Sequence, residues 1–218
     1  MKKFRSHLRS LLTAPSLAVF ASLASVPTSA AEWEEVLKED GVTVYEKEVG
    51  DDVAFRGEGL IAGHPGKLLH AICDPAHWEE WIDDLDSGRL LEKKSDFHAV
   101  YYQAFNSPFP VADRDIVYEA RAHRDPKTGK IIVDMRSVNH PKAPKTVGVR
   151  VKLKYTRYEI TVLPGAQLHV VLETLSDPGG NLPGFLVNRA QRKYPVKLFQ
   201  GLREQVKKAH AKIAPVPK

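Results

Sequence analysis

The chain has 218 residues, a formal net charge of +5 and a single cysteine, Cys73. This length is enough for one domain with a sizeable core, and a lone cysteine excludes an internal disulfide. Four of the positive charges fall within the first nine residues: Lys2, Lys3, Arg5 and Arg9. Without them the net charge is near +1, so the chain lacks the basic excess that is typical of nucleic-acid-binding proteins.

Residues 1–30 have the three-part pattern of a secretory signal peptide. The basic residues precede an apolar run at 11–26, and Thr28-Ser29-Ala30 offers a small-x-small cleavage site. We therefore predict cleavage near Ala30 or Ala31 and a periplasmic or secreted protein. An uncleaved membrane anchor is the alternative, but the apolar run is shorter than the roughly 20 residues that a spanning helix needs.

The residues that follow predict a series of short strands. Aromatic and β-branched residues mark strands at 42–45, 55–61, 89–93, 97–105, 116–122, 131–138, 147–163 and 168–175. Hairpin-type turns separate most of them, among them Ser87-Gly88 and Pro164-Gly165. Gly57 and Gly59 lie within the second strand and suggest a bulge or the close approach of another stretch of backbone.

A proline-rich crossing joins two of these strands. Pro108 and Pro110 lack a backbone donor, so they cannot lie in the middle of a sheet, and we predict a loop at a sheet edge or end. Asp113, Arg114 and Asp115 follow at the start of the next strand. An arginine between two carboxylates at this place predicts a fixed, structural ion-pair network.

Two helices are predicted. The first begins at His64-Pro65-Gly66 and is interrupted at Asp74-Pro75. Its apolar face is expected to include Leu68, Leu69, Ile72, Trp78 and Trp81. The second spans 182–213, and Pro195 should kink it. Its apolar stripe recurs every three or four residues through Leu186, Ala190, Tyr194, Leu198, Leu202, Val206, Ala209 and Ile213.

The charge is unevenly placed along the rest of the chain. Residues 181–218 contain nine Lys and Arg against one acid, Glu204, a balance of +8. Residues 31–180 are therefore near −7. The last residues, 214–218, are expected to form a disordered tail.

This order of elements predicts an antiparallel α+β domain over residues 31–213. A strongly curved sheet can wrap the long C-terminal helix, and any enclosed volume that side chains do not fill becomes a ligand cavity.

Three blocks of the sequence resemble START (StAR-related lipid transfer) domains. They are Phe109-Pro110 followed by Arg114-Asp115-Ile116-Val117-Tyr118, residues 179–188 (GGNLPGFLVN) followed by Pro195 and Leu198, and Cys73-Asp74 with Trp78 and Trp81. The blocks keep the family's order and span essentially all of the chain after residue 30. The resemblance implies a helix-grip fold, a hydrophobic tunnel for one lipid and a C-terminal helix that closes it.

The sequence also departs from the family's pattern. Tyr101 and Ala120 stand about where some cholesterol-binding members have an acidic-basic pair, and Phe185 and Arg189 replace two tryptophans of the lid helix. The ligand class, whether a phospholipid, a sterol or another apolar molecule, therefore does not follow from the resemblance.

A lipid carrier needs an apolar lining and a few polar groups rather than catalytic residues, and we expect no cofactor. Removing an acyl chain from water is worth about 0.8 kcal/mol per CH2. The polar candidates for binding the ligand are Tyr102, Gln103, Arg150 and Asn188, and the apolar candidates are Phe185, Leu186, Leu198 and Leu202. We expect a monomer that binds one lipid.

Metal binding and catalysis are the alternatives to lipid binding. His70, Asp74 and His77 have the spacing of metal ligands on one helix face, but Pro75 breaks that helix, so no metal site is predicted. The chain has no G-x-S-x-G elbow, P-loop or H-E-x-x-H motif. A cyclase-like enzyme or a small-molecule binding module on the same scaffold stays open as the alternative.

The cationic side of the C-terminal helix has two interpretations. It is either a solvated face that keeps the protein soluble or a surface for transient docking on anionic membrane headgroups. The docking candidates are Arg189, Arg192, Lys193 and Lys197, with the acidic remainder of the domain facing away from the membrane. The loop at 139–146 is a candidate gate for the lipid.

Overall fold

The computed structural model describes residues 32–180, 182 and 184–218, with the backbone alone at 184–190. The predicted signal peptide and its cleavage site lie outside these residues. Within the described residues the chain contains ten strands, two α-helices and one short 3-10 helix.

The ten strands form one sheet. Their bounds are β1 Glu34–Glu39, β2 Val42–Val49, β3 Asp52–Ala62, β4 Leu85–Ser95, β5 His98–Phe105, β6 Arg114–Arg124, β7 Ile131–Ser137, β8 Val149–Arg150, β9 Lys152–Leu163 and β10 Gln167–Asp177. The order across the sheet is β1-β2-β3-β10-β9-β7-β6-β5-β4, with antiparallel neighbours throughout. β8 lies off this path and pairs in parallel with the start of β6. The predicted antiparallel α+β fold is confirmed.

Side chains alternate between the two faces of the curved sheet. On β5, Tyr101 belongs to the main core on the concave face, whereas Val100 and Tyr102 belong to a smaller cluster on the convex face. On β6, Tyr118 faces inward and Val117 outward. The two helices cover the concave face, so the main core lies between them and the sheet.

The first helix, α1, spans Pro65–Cys73 and begins where the sequence predicts. The His64 Nδ1 atom caps it by accepting a hydrogen bond from the Gly66 amide at 3.0 Å. Asp74-Pro75 ends it, so Trp78 lies in a separate 3-10 helix, Trp78–Glu80, rather than on a continuation of α1. Trp78 still reaches the core, where its indole N–H donates to the Ile72 carbonyl at 3.1 Å.

The strand β4 begins at Leu85, so the turn predicted at Ser87-Gly88 is wrong. Gly88 lies inside the strand, and the Trp78 ring packs directly on it. A Cβ atom at Gly88 would lie 2.6 Å from that ring. The glycine therefore serves the packing of the tryptophan and not a change of chain direction.

The C-terminal helix, α2, spans Gly184–Gln205 and ends earlier than predicted. Hydrogen bonds between residues three apart tighten the chain after it, as in the bond from the Lys208 amide to the Gln205 carbonyl at 3.1 Å. The apolar stripe is buried at Val206, but Ile213 is 64% exposed. Among the described residues, no helix combines the length and the apolar character that crossing a bilayer requires.

The tail at 214–218 lies against the domain, contrary to the expectation of disorder. The Ala214 amide donates to the Gly66 carbonyl at 3.1 Å, and the Arg124 Nε donates to the Pro217 carbonyl at 3.0 Å. Val216 also packs against the main core. Two hydrogen bonds and one apolar contact therefore hold the tail beside the start of α1.

The helix α2 rests on β3 at two glycines. A Cβ atom at Gly57 would lie 2.5 Å from the Cβ of Pro195, and one at Gly59 would lie 3.2 Å from the ring of Phe199. The close approach that the sequence predicts at these glycines is confirmed, and it sets the height of α2 above the sheet.

Candidate functional site

A cavity of about 300 Å³, here called the central cavity, lies on the concave face of the sheet beside α2. Its apolar lining comes from both helical regions and from several strands: Ile72, Trp81, Ile82, Phe105, Ile116, Met135, Val151, Leu153 and Leu198. Because these residues are distant in sequence, the cavity exists only in the folded domain.

The polar groups of the central cavity are hydroxyls and amides. They belong to Gln103, Tyr118, Thr156, Tyr158, Thr174, Ser176, Gln191 and Tyr194. The hydroxyl oxygens of Thr156 and Thr174 lie 2.8 Å apart and hydrogen-bond to each other. None of the described lining residues is charged. A ligand group inside must therefore be neutral, since an unpaired charge in such surroundings is strongly disfavoured.

Three tyrosines share this cavity as neutral phenols. Burial raises the pKa of Tyr118 and of Tyr158 well above the usual value, whereas Tyr194 is 42% exposed at the edge of the cavity. No hydrogen bond links the hydroxyl of Tyr118 or Tyr158 to another residue that the structure describes, and both residues line the cavity.

The central cavity continues into a wider opening of about 520 Å³, here called the mouth. Trp81, Phe105, Tyr194 and Leu198 line both spaces. The mouth adds four ionisable residues that the central cavity lacks: Asp83, Asp84, Lys193 and Lys197. Lys197 forms an ion pair with Asp83, and this hydrogen bond raises the pKa of the lysine.

A solvent-exposed aromatic ring lies beside the mouth. Pro108 lines the mouth, and the next residue, Phe109, is 98% exposed in the loop between β5 and β6. A phenyl ring with almost no protein contact gains nothing from its position within the isolated domain. The predicted loop at Pro108 and Pro110 is confirmed, and it carries this ring outward.

The structure separates the predicted ligand-binding residues into four groups. Gln103 and Leu198 line the central cavity, as predicted. Leu202 is fully buried in the main core beneath α2 and is not part of the cavity wall. Tyr102 and Arg150 lie on the convex side of the sheet, so their prediction as ligand contacts is wrong. Three candidates have side chains outside the described part of the chain: Phe185, Leu186 and Asn188.

Arg150 is instead the partner of a fully buried carboxylate. Its Nε and Nη2 atoms donate to Asp115 at 2.7 and 3.0 Å, and Asp115 has no exposed surface. Val147 and Thr146 donate two further hydrogen bonds at 3.2 and 3.3 Å. Burial alone would raise the pKa of Asp115, but these donors outweigh it, so the pKa is lowered and the group stays ionised.

The predicted network of Asp113, Arg114 and Asp115 takes a different form. Consecutive strand residues point to opposite faces, so Arg114 cannot bridge its two neighbours. Its guanidinium donates to the Ala112 carbonyl, while Asp113 Oδ1 accepts from the Ser107 amide at 2.9 Å. The carboxylates are structural, as expected, but each has its own partner.

The loop at 139–146 is fixed on the convex face and does not border the central cavity. His140 Nε2 lies 3.1 Å from Glu92 Oε2, and the Pro144 carbonyl accepts a hydrogen bond from Arg150 at 2.9 Å. Ala143 packs on the outer apolar cluster. The hypothesis that this loop is a gate is therefore wrong, because the sheet separates it from the cavity.

Much of the cationic side of α2 is paired with acids of the domain. Arg192 makes two hydrogen bonds of 2.9 Å each with Glu46 on β2, and Lys197 pairs with Asp83. The expectation that the acidic residues face away from this helix is therefore wrong at these positions. Opposite charges meet across the interface and fix the helix on the sheet.

Two docking candidates remain to be placed. Lys193 is exposed at the mouth, and no ion pair joins it to an acid within the described residues. The side chain of Arg189 lies outside the described residues. Lys193 is thus the docking candidate whose charge the described domain leaves uncompensated.

The histidines beside α1 form a hydrogen-bonded clamp. Asp74 Oδ2 lies 2.6 Å from His77 Nδ1 and 3.4 Å from His70 Nε2. The His77 ring stacks on His210 with centroids 3.7 Å apart and planes 6° apart, beside Glu80. Parallel rings direct their nitrogens side by side rather than toward one point, so this geometry suits a clamp between α1 and the segment after α2 better than a metal centre.

Most of the polar cavity residues are not evident from the sequence. Thr156, Tyr158 and Thr174 lie on β9 and β10 among other alternating residues, and Tyr118 belongs to a motif that gives it no role in binding. Their spacing along the strands was visible in the sequence. What was missing was the face that each strand turns toward α2.

Comparison with known proteins gives consistent relatives. A family model described as "START domain" matches residues 18–212. The phosphatidylcholine transfer protein of Mus musculus is 26% identical over 179 residues, which cover 79% of this chain and 82% of that protein.

Solved structures share the fold. The STAR-related lipid transfer protein fragment of Xanthomonas axonopodis superposes with a TM-score of 0.71 at 22% identity, covering 81% of this chain and 99% of that one. Human StAR-related lipid transfer protein 5 gives a TM-score of 0.72 at 20% identity, with coverage of 83% and 88%. At these identities the two structures establish the architecture alone.

Proposed function

The chain belongs to the START domain family, and we propose that it binds one lipid in the central cavity and carries it through water. The helix α2 is the lid, the apolar chain lies in the cavity, and the polar headgroup stays at the mouth. One observation supports this assignment most directly: an uncharged, mostly apolar cavity opens into a mouth that holds ionisable residues. That gradient of polarity matches the two ends of a lipid.

The energetics of such a carrier require no catalytic group. Burying a chain of about 15 methylenes is worth roughly 12 kcal/mol at about 0.8 kcal/mol each. The relatives reported above are named for lipid transfer, which favours a carrier over the cyclase-like alternative. No observation in the described cavity specifically favours an enzyme.

The neutral hydrogen-bond donors inside the cavity indicate which part of the lipid lies there. The amide of Gln103 suits ester carbonyls or hydroxyl groups, which are polar but uncharged, and Gln103 is two residues from Phe105, which lines both the cavity and the mouth. We therefore place the ester or hydroxyl region of the lipid beside Gln103, with a charged headgroup excluded from the cavity.

Native mass spectrometry of the purified protein tests the assignment. We expect a bound lipid in the wild type and its loss in Leu198→Trp, because the larger ring fills the cavity from the lid side. Val162→Trp is the matched control, since Val162 is 53% exposed and lies outside the cavity wall. A delipidated wild type that extracts no lipid from vesicles would refute the proposal, and turnover of an added aromatic substrate would favour the enzyme.

The way in which the lipid enters follows from the mouth. We propose that the mouth meets an anionic bilayer during transfer, with the Phe109 ring entering the interface and Lys193 near the headgroups. The ring is bare, and the charge of Lys193 is uncompensated within the described domain. This replaces a docking surface spread along the whole cationic helix, and contact is transient because few groups take part.

We also propose that residues 1–30 direct export and are removed, leaving a monomer in the periplasm or outside the cell. The basic and apolar pattern of this segment supports the proposal. The family match begins at residue 18, so the proposed cleavage site lies within the matched range. Mass analysis of the protein from the envelope fraction tests this, and an intact Met1 would overturn it.

A further inference from the structure

A second cavity of about 250 Å³, here called the back pocket, lies beyond the central cavity along the same strands. Ala99, Ala120, Ala122 and Val133 line it from the sheet, and Ala214 of the C-terminal tail lies on its outer side. The central cavity uses the neighbouring inward positions of the same strands, such as Gln103, Tyr118 and Met135. The two spaces therefore follow each other along one concave surface.

Two tyrosines stand between the central cavity and the back pocket. Tyr101 and Tyr118 are directly paired across β5 and β6, and their ring centroids are 5.7 Å apart. Tyr118 lines the central cavity and Tyr101 lines the back pocket. The two paired rings therefore lie at the boundary between the two spaces.

The two rings are held differently. The Tyr101 hydroxyl donates to the Cys73 carbonyl at 3.3 Å, and its ring meets the edge of Trp78 at a centroid distance of 5.2 Å. The hydroxyl of Tyr118 has no such bond to a described residue. Tyr101 is thus a fixed wall, and Tyr118 is the ring that borders the ligand.

We propose that Tyr118, supported by Tyr101, is the stop that sets the length of acyl chain accepted by the central cavity. The back pocket is the space that a longer chain enters when this stop is removed. The inference rests on the proposed lipid-binding function. The central cavity alone is at the small end of the roughly 300–1,000 Å³ that ligand sites occupy, and the back pocket would nearly double it.

The small residues behind the partition support this role. Ala99, Ala120 and Ala122 are the shortest apolar side chains that can face a cavity, so they leave room on the far side of the two rings. The tail residue Ala214 closes that room from outside through its hydrogen bond to Gly66. The sheet side of the pocket next to the tyrosines is therefore apolar, whereas the pocket's polar lining is His70, Ser95, His98 and the exposed pair of Lys93 and Asp96, whose charged atoms lie 2.7 Å apart.

The test is a binding series of saturated monoacylglycerols of increasing chain length, titrated into the delipidated full protein. In the wild type, affinity should rise about fourfold per added methylene and then level off at the length that reaches Tyr118. In Tyr118→Ala the rise should continue to longer chains. Tyr118→Phe keeps the ring and should level off where the wild type does.

Two further variants keep the test valid if Tyr118→Ala fails to fold. Ala120→Leu fills the back pocket and leaves the stop in place, so its affinity series should match that of the wild type. Tyr118→Val, whose β-branched side chain suits a strand, should extend the series as Tyr118→Ala does.

The outcomes separate the two proposals. Binding by the wild type with the same limiting length in both shortened Tyr118 variants would overturn the stop. So would a shorter limit in Ala120→Leu, because the chain would then already occupy the back pocket of the wild type. If no chain length binds to the wild type, the lipid-binding function itself fails and the stop fails with it.

Discussion

Asp115 is the residue whose partners decide what Arg150 does. A fully buried carboxylate is tolerated here because a bidentate guanidinium, a backbone amide and the hydroxyls of Thr146 and Tyr102 all donate to it. These bonds also tie the strand β6 to the segment that leads into β8. Removing one partner of such a pair leaves an uncompensated charge in the protein interior, which is costlier than the pair is favourable.

We therefore expect Arg150→Ala to destabilise the protein without impairing its cavity. The free energy of unfolding in urea at neutral pH should fall by about 3 kcal/mol, the low end of the range for broken buried pairs, because the Arg150 side chain is 35% exposed. Lipid bound per folded molecule should not change. Loss of lipid from a fully stable Arg150→Ala protein would instead make Arg150 a ligand contact.

The same variant has a predictable dependence on pH. The pKa of Asp115 is lowered from 3.8 in the folded state, so the pair stabilises the fold above that value and loses its effect as the pH falls through the lowered pKa. The difference between wild type and variant should therefore shrink in acid. Arg121→Ala is the control: it is 55% exposed and shares Glu119 with Arg136, so its effect should stay below about 1 kcal/mol.

Adjacent residues show what the sequence could and could not provide at this scale. Tyr102 and Gln103 are neighbours on β5, and only one of two neighbours in a strand can face the cavity. The sequence therefore predicts that one of these two ligand candidates fails. Which one fails depends on the side of the sheet that α2 covers, and that is set by contacts between distant segments.

At the scale of elements, a bulge decides which residues of β9 face the cavity. Val149, Val151 and Leu153 alternate regularly, and continuing the pattern would turn Tyr155 inward. The pairing of β9 with β10 shifts between Leu175 and Ser176, which leaves an extra residue on β9. Beyond it, Thr156 and Tyr158 face the cavity. An inserted residue reverses the face of every later one, and no local signal in this stretch marked it.

The packing of α2 on β3 was easier to predict from the sequence than the bulge in β9. Two glycines within a strand have few explanations, and the close approach of another element is one of them. At Gly57 the approaching atom belongs to the rigid ring of Pro195 and would lie 2.5 Å from an added Cβ, whereas at Gly59 the nearest atom, the Gly41 carbonyl oxygen, would lie at 3.0 Å. The two glycines should therefore tolerate a methyl group unequally.

We expect Gly57→Ala to lower the free energy of unfolding by about 1–3 kcal/mol, as overpacking typically does, and to weaken lipid retention by lifting α2. Gly59→Ala should cost less, because its closest contacts are at 3.0 to 3.3 Å rather than 2.5 Å. Urea denaturation and the rate of lipid loss to empty vesicles would measure both effects. An equal or reversed order for the two variants would show that the Pro195 contact does not set the helix position.

At the scale of the whole molecule, local signals predicted the architecture and long-range pairing determined the rest. Hairpin turns and alternating strands depend on neighbours in sequence, so the antiparallel α+β fold could be predicted from the sequence. The tail against Gly66, the clamp of His77 on His210 and the pairing of Arg192 with Glu46 join residues more than 100 positions apart. The last of these contacts and the pair of Lys197 with Asp83 neutralise two cations of a helix that the sequence presents as free.

That redistribution of charge changes the docking prediction. Replacing Arg192 and Lys197 would break pairs with Glu46 and Asp83, so a slower transfer in those variants would mix stability with docking. Phe109 and Lys193 offer a cleaner test. The first is 98% exposed, and the second has no acidic partner within the described chain.

We expect Phe109→Ser combined with Lys193→Gln to slow lipid transfer from anionic vesicles by about tenfold or more at low salt. A basic group near an anionic surface is worth about 1 kcal/mol, and burying a phenyl ring roughly 1.5–3 kcal/mol. The Lys193 part of the effect should fade as salt screens it over about 8 Å at physiological ionic strength, whereas the Phe109 part should persist. Thermal stability and lipid content should match those of the wild type.

The matched control changes the same residue types away from the mouth. Ile213 is 64% exposed and Lys212 is exposed, and both lie on the segment after α2, near the start of α1. Ile213→Ser with Lys212→Gln should leave transfer unchanged, because neither residue lines the mouth. If the control slows transfer as much as the variant at the mouth, the protein binds the bilayer through charge spread over its surface rather than through the mouth. If neither variant slows it, lipid exchange does not proceed through the mouth.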